Sequence, residues 1–353
     1  MSYPSWNEIR NSFWMQSVKF PQIDSATPSF MRLPLAKSRK ELNGADAAII
    51  GAPYVAGWGE YGGVGKDEWL AAPKRVRQQS ARYASGYVQE FDIDVFEYLN
   101  VVDYCNAAIP PEVNDAPTAE NILLAQAAVE DKVSDCLAVG AVPIVIGQNS
   151  PCGSYAIAKP IAERSVGKVG CICLDTHWDA KPLDRLTKDP RIAGSGSWKH
   201  KMYEFHKNMD KHNLVEIGER GMLEDKEMVR AWVDEGTNFY PLWRMRREFG
   251  IDGICEELRH AYAGTDSVFV HFDMDVLGGA GPGPGDTLGE LAEPMGMTDY
   301  EVIRIAHAIG KRGLDGFSFA CIPPGSALTY RTIVYVVMYL LAGIAITKKE
   351  AQT

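Results

Sequence analysis

The stretch from Cys171 to Asp179 constrains the fold more than any other part of the chain. It reads Cys171-Ile-Cys-Leu-Asp175-Thr-His177-Trp-Asp179, an apolar run that ends in an acid, a histidine and a second acid at alternating positions. A continuous apolar run is typical of a strand buried in a parallel sheet, and open α/β sheets place their ligands at the carboxyl ends of such strands. Because strand side chains alternate between two faces, Asp175, His177 and Asp179 are expected to converge on one side. Two carboxylates and an imidazole suit a divalent first-row metal, and the alternative is a solvated loop with an N-capping aspartate.

A second stretch repeats this pattern and favours the metal site over the loop. Asp266-Ser-Val-Phe-Val leads into His271-Phe-Asp273-Met-Asp275, another strand-like run that ends in acids two residues apart. Two such strand ends in one chain are difficult to explain as turns. We therefore predict that one small pocket contains Asp175, His177, Asp179, Asp273 and Asp275.

Strand and helix patterns alternate along the chain from Asp46 onward. Strand-like runs include Val88–Phe96, and helical spacing follows Pro117 up to Gly140. This alternation predicts an α/β fold with a parallel sheet and helices on both faces. We divide the chain into an N-terminal arm, 1–45, and one α/β domain, 46–353. The aromatic residues of the arm predict that it lies across its own domain or a neighbouring subunit.

Charge and composition exclude several classes of function. The formal net charge is −10, without a basic cluster, which argues against nucleic acid as a partner. The longest apolar stretch, Ile333 to Ile346, is shorter than the about 20 residues that cross a bilayer, so we expect a buried C-terminal helix and no membrane partner. The seven cysteines include no CxxC pair, and the first ten residues do not form a signal peptide, so we expect reduced thiols and a cytoplasmic protein.

The order of these strand ends resembles that of the ureohydrolase family, which comprises arginases, agmatinases and related guanidine-cleaving enzymes. The family pattern Asp-x-His-x-Asp is similar to Asp175–Asp179, the pattern Phe-Asp-x-Asp to Phe272–Asp275, and the pattern Ile-Gly-x-Arg-Gly to Ile217–Gly221. The resemblance covers roughly residues 46 to 346. It implies an arginase-like three-layer α/β/α fold with a mostly parallel sheet. It also implies a two-metal site that usually binds manganese and sometimes nickel.

Three positions depart from the family pattern. The histidine that binds the first metal is replaced by Asn149, and a histidine that assists proton transfer is replaced by Ser195. The position of a glutamate that holds the guanidinium group falls on or near Cys321. An amide is a poor ligand for such a metal, and serine does not titrate near neutral pH. Asp179 belongs to the first metal, and the matching ligands of the second metal are intact: Asp175, His177, Asp273 and Asp275. We expect at most one divalent metal ion, nickel or manganese, or none.

The resemblance leaves two functions open. In the first, the chain is a non-catalytic or supporting subunit that works with a catalytic ureohydrolase paralogue in a trimer or hexamer. Such a hetero-oligomer, similar to nickel-dependent metformin hydrolases, cleaves guanidine or biguanide C–N bonds and releases urea or a related product. In the second, the chain is an active agmatinase- or guanidinohydrolase-type enzyme with a mononuclear or rebuilt metal site. New contacts to a small guanidine-type substrate would then come from Lys181, Lys199, His200 or Cys321.

Overall fold

A parallel sheet of eight strands forms the centre of the fold. The computed structural model describes residues 20–55, 60–61, 64–83, 85–148, 151–184, 187–280, 293–325 and 327–352. The strands of this sheet are β1 (Ala47–Ala52), β2 (Val101–Asn106), β3 (Val142–Gly147), β4 (Lys168–Leu174), β5 (Met209–Ile217), β6 (Asn238–Tyr240), β7 (Thr265–Asp273) and β8 (Gly316–Ala320). They lie in the order β6-β5-β4-β7-β8-β3-β1-β2, and each neighbouring pair is parallel.

Helices cover both faces of the sheet. They are α1 (Lys66–Leu70), α2 (Ala72–Ser80), α3 (Val95–Tyr98), α4 (Ala119–Val139), α5 (Ala156–Arg164), α6 (Trp198–Phe205), α7 (Lys226–Asp234), α8 (Leu242–Arg244), α9 (Gly250–Glu257), α10 (Arg259–Tyr262), α11 (Asp299–Arg312) and α12 (Ala327–Glu350). Short 3-10 helices span Phe30–Arg32, Arg39–Leu42, Pro111–Asn114 and Met274–Ala280, and π-helical turns span Pro151–Tyr155 and Met245–Phe249.

Alternating side chains of the strands enter two hydrophobic layers, one on each side of the sheet. In β4, Ile172 and Leu174 belong to the layer that also contains residues of α2, α11 and α12, whereas Cys171 and Cys173 belong to the layer that contains residues of α4, α5 and α6. A strand buried on both faces reads as a continuous apolar run, which is why β4 was recognisable. The predicted three-layer α/β/α fold with a parallel sheet is confirmed.

Two local predictions need correction. The predicted strand over Val88–Phe96 is wrong, because Tyr87–Val88 pairs antiparallel with Ile93–Asp94 around a turn in which Asp92 has a φ of 48°. The helix predicted from Pro117 begins at Ala119, and the side chain of Thr118 caps it by accepting a hydrogen bond from the Asn121 amide.

The described part of the N-terminal segment packs against the sheet domain. Phe30, Leu33 and Leu42 are buried in the two hydrophobic layers. The amide of Phe30 donates to Asp103 Oδ2 of β2 at 2.8 Å. Residues 1–19, which contain Tyr3, Trp6, Phe13 and Trp14 of the predicted arm, lie outside the described part of the chain. The division into an arm and a domain at residue 45 stays a prediction.

The C-terminal helix α12 packs tightly on α11. It is the one helix in the described ranges long and apolar enough to cross a membrane, and 72% of its most apolar window is buried inside the fold. A Cβ atom at Gly343 would lie 2.5 Å from the carbonyl oxygen of His307, so only glycine permits this close helix crossing. The predicted buried C-terminal helix is confirmed, with bounds wider than expected.

Candidate metal centre

The structure brings the predicted acids and histidine together at the carboxyl ends of β4 and β7. These strands are neighbours, and Leu174 lies opposite Phe272, so Asp175 and Asp273 lie at the same edge of the sheet. Three groups have ligand atoms within 4.8 Å of one another: Asp175, Asp179, His271 and Asp273; Asp175, His177 and Asp275; and Asp273, Asp275 and Cys321. Asp175, Asp273 and Asp275 are at most 2% exposed. We call the members of these three groups together the acidic pocket: Asp175, His177, Asp179, His271, Asp273, Asp275 and Cys321.

Hydrogen bonds from the backbone orient the carboxylates of the acidic pocket. The His177 amide donates to Asp175 Oδ1 at 2.7 Å, and the Asp275 amide donates to Asp273 Oδ1 at 3.0 Å. The guanidinium group of Arg220 donates to the carbonyl oxygen of Asp275 at 2.9 Å. Asp179 has a left-handed backbone with a φ of 48°, a sparsely populated conformation that needs support from its surroundings. Trp198 gives such support, since its Nε1 donates to Asp179 Oδ2 at 3.1 Å.

Burial and mutual repulsion dominate the electrostatics of the carboxylates. Burial, followed by the charges of neighbouring acids, raises the pKa of Asp273 and of Asp179 well above the usual range. Burial also raises the pKa of Asp275, although a hydrogen bond from His177 opposes the shift. Burial alone would raise the pKa of Asp175, but the hydrogen bond and charge of His271 outweigh it and lower this pKa. Without a cation, therefore, some carboxyl groups of the pocket hold protons.

The acids of the pocket also favour the protonated, positively charged form of His177. Its Nδ1 lies 3.1 Å from Asp275 Oδ2 and 3.9 Å from Asp175 Oδ1. Burial would lower the pKa of His177, but these two acids and Asp179 raise it to about 10. A divalent cation would take the place of such protons, and the carboxylate oxygens and imidazole nitrogens present are donors that manganese and nickel accept. The residues of the pocket fit a divalent metal, and their role as ligands stays a prediction.

The sequence prediction did not include two side chains that face the pocket. His271 is fully buried, and its Nε2 lies 3.1 Å from Asp175 Oδ2. His271 lies two residues before Asp273 on β7, so its side chain is on the same face of the strand. The alternation that predicted the acids would therefore have predicted His271 as well. Trp198 left no signal in the sequence, because it approaches Asp179 from a separate helix.

A buried ion pair lies behind the pocket. Lys199 and Glu216 are both fully buried, and Nζ lies 2.6 Å from Oε1. Burial, together with the adjacent Glu216, raises the pKa of Glu219 well above its usual range and keeps that carboxyl neutral. Lys199 therefore neutralises Glu216 and is not available to a substrate.

The three positions that depart from the family pattern have different surroundings. Asn149 lies outside the described residues. Ser195 lies in the turn that precedes α6 and is half-buried. Cys321 follows β8 with a φ of 50° and lies beside Asp273 and Asp275. Burial and the charges of these acids raise the pKa of the Cys321 thiol well above its usual range, so it is neutral.

Lys181 and His200, two of the proposed new substrate contacts, have different surroundings. Lys181 is exposed, and its contact with a substrate stays a prediction. His200 lines a surface groove together with Lys168, which begins β4 at the end opposite Asp175. Of the two candidates whose side chains can bind a metal, Cys321 belongs to a ligand group of the described residues and His200 does not.

The sequence gives a third observation beside the sheet order and the pocket: residues 45–342 match the Arginase family. The chain belongs to the arginase family. The guanidinobutyrase of Pseudomonas aeruginosa is 26% identical over 294 residues, which are 81% of each protein. The proclavaminate amidino hydrolase of Streptomyces clavuligerus has a similar fold, with a TM-score of 0.74 and 23% identity over 91% of this chain and 97% of that one. The formiminoglutamase of Trypanosoma cruzi, solved with Mn²⁺, gives a TM-score of 0.70 at 23% identity, covering 90% of this chain and 99% of the other.

Proposed function

We propose that this arginase-family chain is a supporting subunit of a hetero-oligomeric hydrolase that cleaves C–N bonds of guanidine or biguanide compounds. Its partner is a catalytic ureohydrolase paralogue in a trimer or hexamer, as in metformin hydrolase-type heteromers. The substrate is small and guanidine-type, and the product is urea or a related compound. The seven cysteines are free thiols, which supports a cytoplasmic assembly.

The neutral thiol of Cys321 is the observation that carries this proposal. A guanidinium group is a planar cation that carboxylates bind with paired hydrogen bonds. The family resemblance assigns that carboxylate to a position on or near Cys321. The Cys321 thiol is buried against Asp273 and Asp275 and offers no charge. By this resemblance the chain keeps the ligands of the second metal and lacks a substrate anchor.

The acidic pocket supports a bound divalent cation, which we assign as nickel or manganese. The residues that would hold it are His177 with Asp175, Asp273 and Asp275. When bound, such a cation would activate a water molecule for attack on the substrate. The backbone amides of His177 and Asp275 hold the carboxylates in place, and Arg220 fixes the loop that follows β7. In a supporting subunit, the same cation would stabilise the fold by relieving repulsion among buried acids.

A second candidate function is that of an active guanidinohydrolase with a rebuilt metal site. The imidazole of His271 favours this candidate, because it adds a nitrogen ligand on the side of the pocket formed by Asp175, Asp179 and Asp273. The guanidinobutyrase and amidino hydrolase relatives also support hydrolysis of this class of bond.

Co-expression separates the two candidates. The chain is purified with manganese or nickel, alone and with an arginase-family paralogue that carries the complete set of family histidines. Release of urea or amine from metformin, agmatine and 4-guanidinobutyrate is then measured. A supporting subunit is inert alone and raises the activity or soluble yield of the paralogue.

Matched variants identify the subunit that performs the reaction. In the co-purified complex, Asp273→Asn in this chain leaves turnover largely intact if the chain is supporting. Replacement of the paralogue's metal-binding histidines abolishes turnover. Urea release by this chain alone, lost on Asp273→Asn, would reject the supporting role in favour of the second candidate.

A further inference from the structure

His271 lies at the bottom of the acidic pocket with one ring nitrogen aimed at the carboxylates. The residue is fully buried, and its Nε2 lies 3.1 Å from Asp175 Oδ2. Ligand atoms of Asp175, Asp179, His271 and Asp273 all lie within 4.8 Å of one another. Three carboxylate oxygens and one imidazole nitrogen form a complete donor set for a divalent first-row metal.

A chain of hydroxyl groups fixes the direction in which His271 presents its nitrogen atoms. The hydroxyl of Ser318 donates to the carbonyl oxygen of Val270 at 3.1 Å. Ser154 Oγ lies 3.1 Å from Ser318 Oγ and therefore donates to it. Ser154 then accepts from His271 Nδ1, which carries a proton. A divalent cation that displaces the proton between Nε2 and Asp175 would bind the lone pair of Nε2, since a protonated Nδ1 held by a second group is the usual support of a histidine ligand.

The packing around His271 holds the ring in this orientation. Ser154 lies in the π-helical turn Pro151–Tyr155, which approaches β8 so closely that a Cβ atom at Gly153 would lie 2.7 Å from the Phe319 carbonyl oxygen. On the other side, the Trp198 ring contacts the imidazole, with a distance of 4.8 Å between ring centroids. A ligand held by packing and by a second shell of hydrogen bonds is preorganised for binding.

We propose that His271 is the nitrogen ligand of a second divalent cation, bound with Asp175, Asp179 and Asp273. His177 and Asp275 would hold the first cation on the other side of the pocket, together with Asp175 and Asp273, which both cations share. The family resemblance assigns a histidine for this second cation to position 149, which is asparagine here. Strand β7 therefore supplies the imidazole that position 149 does not. This proposal shares with the proposed function the premise that the acidic pocket binds metal. It replaces the expectation of at most one metal ion with two.

The test counts metal ions in the full chain. Protein loaded with Mn²⁺ is dialysed without chelator, and its metal content is measured by plasma mass spectrometry together with its electron paramagnetic resonance spectrum. Wild-type protein is expected to retain two ions with the spectrum of a magnetically coupled pair. The variants His271→Asn and His177→Asn each retain one ion and give the spectrum of an isolated Mn²⁺. His307→Gln, a histidine outside the pocket, serves as the matched control and retains both.

A milder variant keeps the proposal testable if His271→Asn does not fold. Ser154→Ala removes the hydrogen bond to Nδ1 and leaves the ligand in place, so one ion should bind about 10–100-fold more weakly while the other is unaffected. Circular dichroism confirms that each variant is folded. A His271→Asn chain with the metal count and spectrum of wild type overturns the proposal, as does a folded wild-type chain that retains no ion. The proposed function is judged separately, by turnover with the paralogue.

Discussion

Replacement of Lys199 by methionine should destabilise the chain strongly, because it would leave the Glu216 carboxylate buried without its cation. Both side chains are fully buried. Burial alone would lower the pKa of Lys199, but nearby acidic groups, Glu216 among them, raise it well above the usual range. Methionine is unbranched and fills the channel of the lysine stem, so the change removes charge with little loss of packing.

The size of the effect follows from the cost of an unpaired buried charge. Removing one partner of a buried ion pair costs about 3–5 kcal/mol. The ammonium group also lies 5.8 Å and 5.7 Å from the ring centroids of Trp178 and Trp198. Methionine is uncharged and would lose these cation–π interactions. The double variant Lys199→Met/Glu216→Gln removes the unpaired charge. It should regain about 2 kcal/mol of the loss, within the range of coupling between residues in contact.

Urea unfolding of the single and double variants at constant protein concentration measures these free energies. The single variant Glu216→Gln completes the double-mutant cycle and isolates the coupling between the two groups. A Lys199→Met chain within about 1 kcal/mol of wild type would refute the reasoning, because an exposed or neutral pair contributes no more than that.

Four further outcomes are expected. Burial and neighbouring cations lower the pKa of His307 from 6.5 to about 4. The unfolded chain therefore binds more protons at this residue, and its contribution to stability is present above pH 6.5 and is lost as pH falls toward 4. His307→Gln should flatten this slope in unfolding measurements at pH 7 and pH 5, and an unchanged slope would assign it to other groups. Gly343→Ala should cost about 1–3 kcal/mol in thermal unfolding, because its Cβ would meet a carbonyl oxygen of α11 at 2.5 Å, whereas alanine in an open helix would stabilise by about 1 kcal/mol. Removal of residues 1–19 should reduce the oligomer measured by light scattering, since their aromatic residues are costly to leave in water; an unchanged size would place them on their own subunit. Asn149→His alone should give no urea release from the isolated chain, because Cys321 still lacks a charge, and an active single variant would contradict the role assigned to that cysteine.

The sequence predicted the elements whose side chains are apolar or acidic in a regular period. Strand β4 and the acids of β4 and β7 belong to this class. Strand β2 was missed because Asp103 and Asn106 interrupt its apolar pattern. In the fold these residues pair with Arg77, which donates to Asp103 at 2.8 Å and 2.9 Å and to Asn106 at 2.7 Å. A paired charge can be buried in a strand, but its partner lies too far along the chain for a local pattern to reveal it.

The same limit applied to the metal centre. His271 could have been predicted, because it shares the alternation of Asp273 on the same strand. The pairing of Lys199 with Glu216 could not, since it joins helix α6 to strand β5. Local periodicity determines which face of an element a residue occupies, and the tertiary fold determines which residue meets it there.

Trp198 gives the pocket an optical signal of its own. Its indole donates to Asp179 and its ring contacts His271, so it touches two residues on the same side of the pocket. A paramagnetic ion bound by Asp179 and His271 would lie next to the Trp198 ring and should quench its fluorescence, whereas a diamagnetic ion such as Zn²⁺ should not. The chain contains eight tryptophans, and Trp198→Phe identifies the share of the emission that responds. Binding of metal to the pocket can thus be followed in real time by tryptophan fluorescence, with all of the metal-binding residues unchanged.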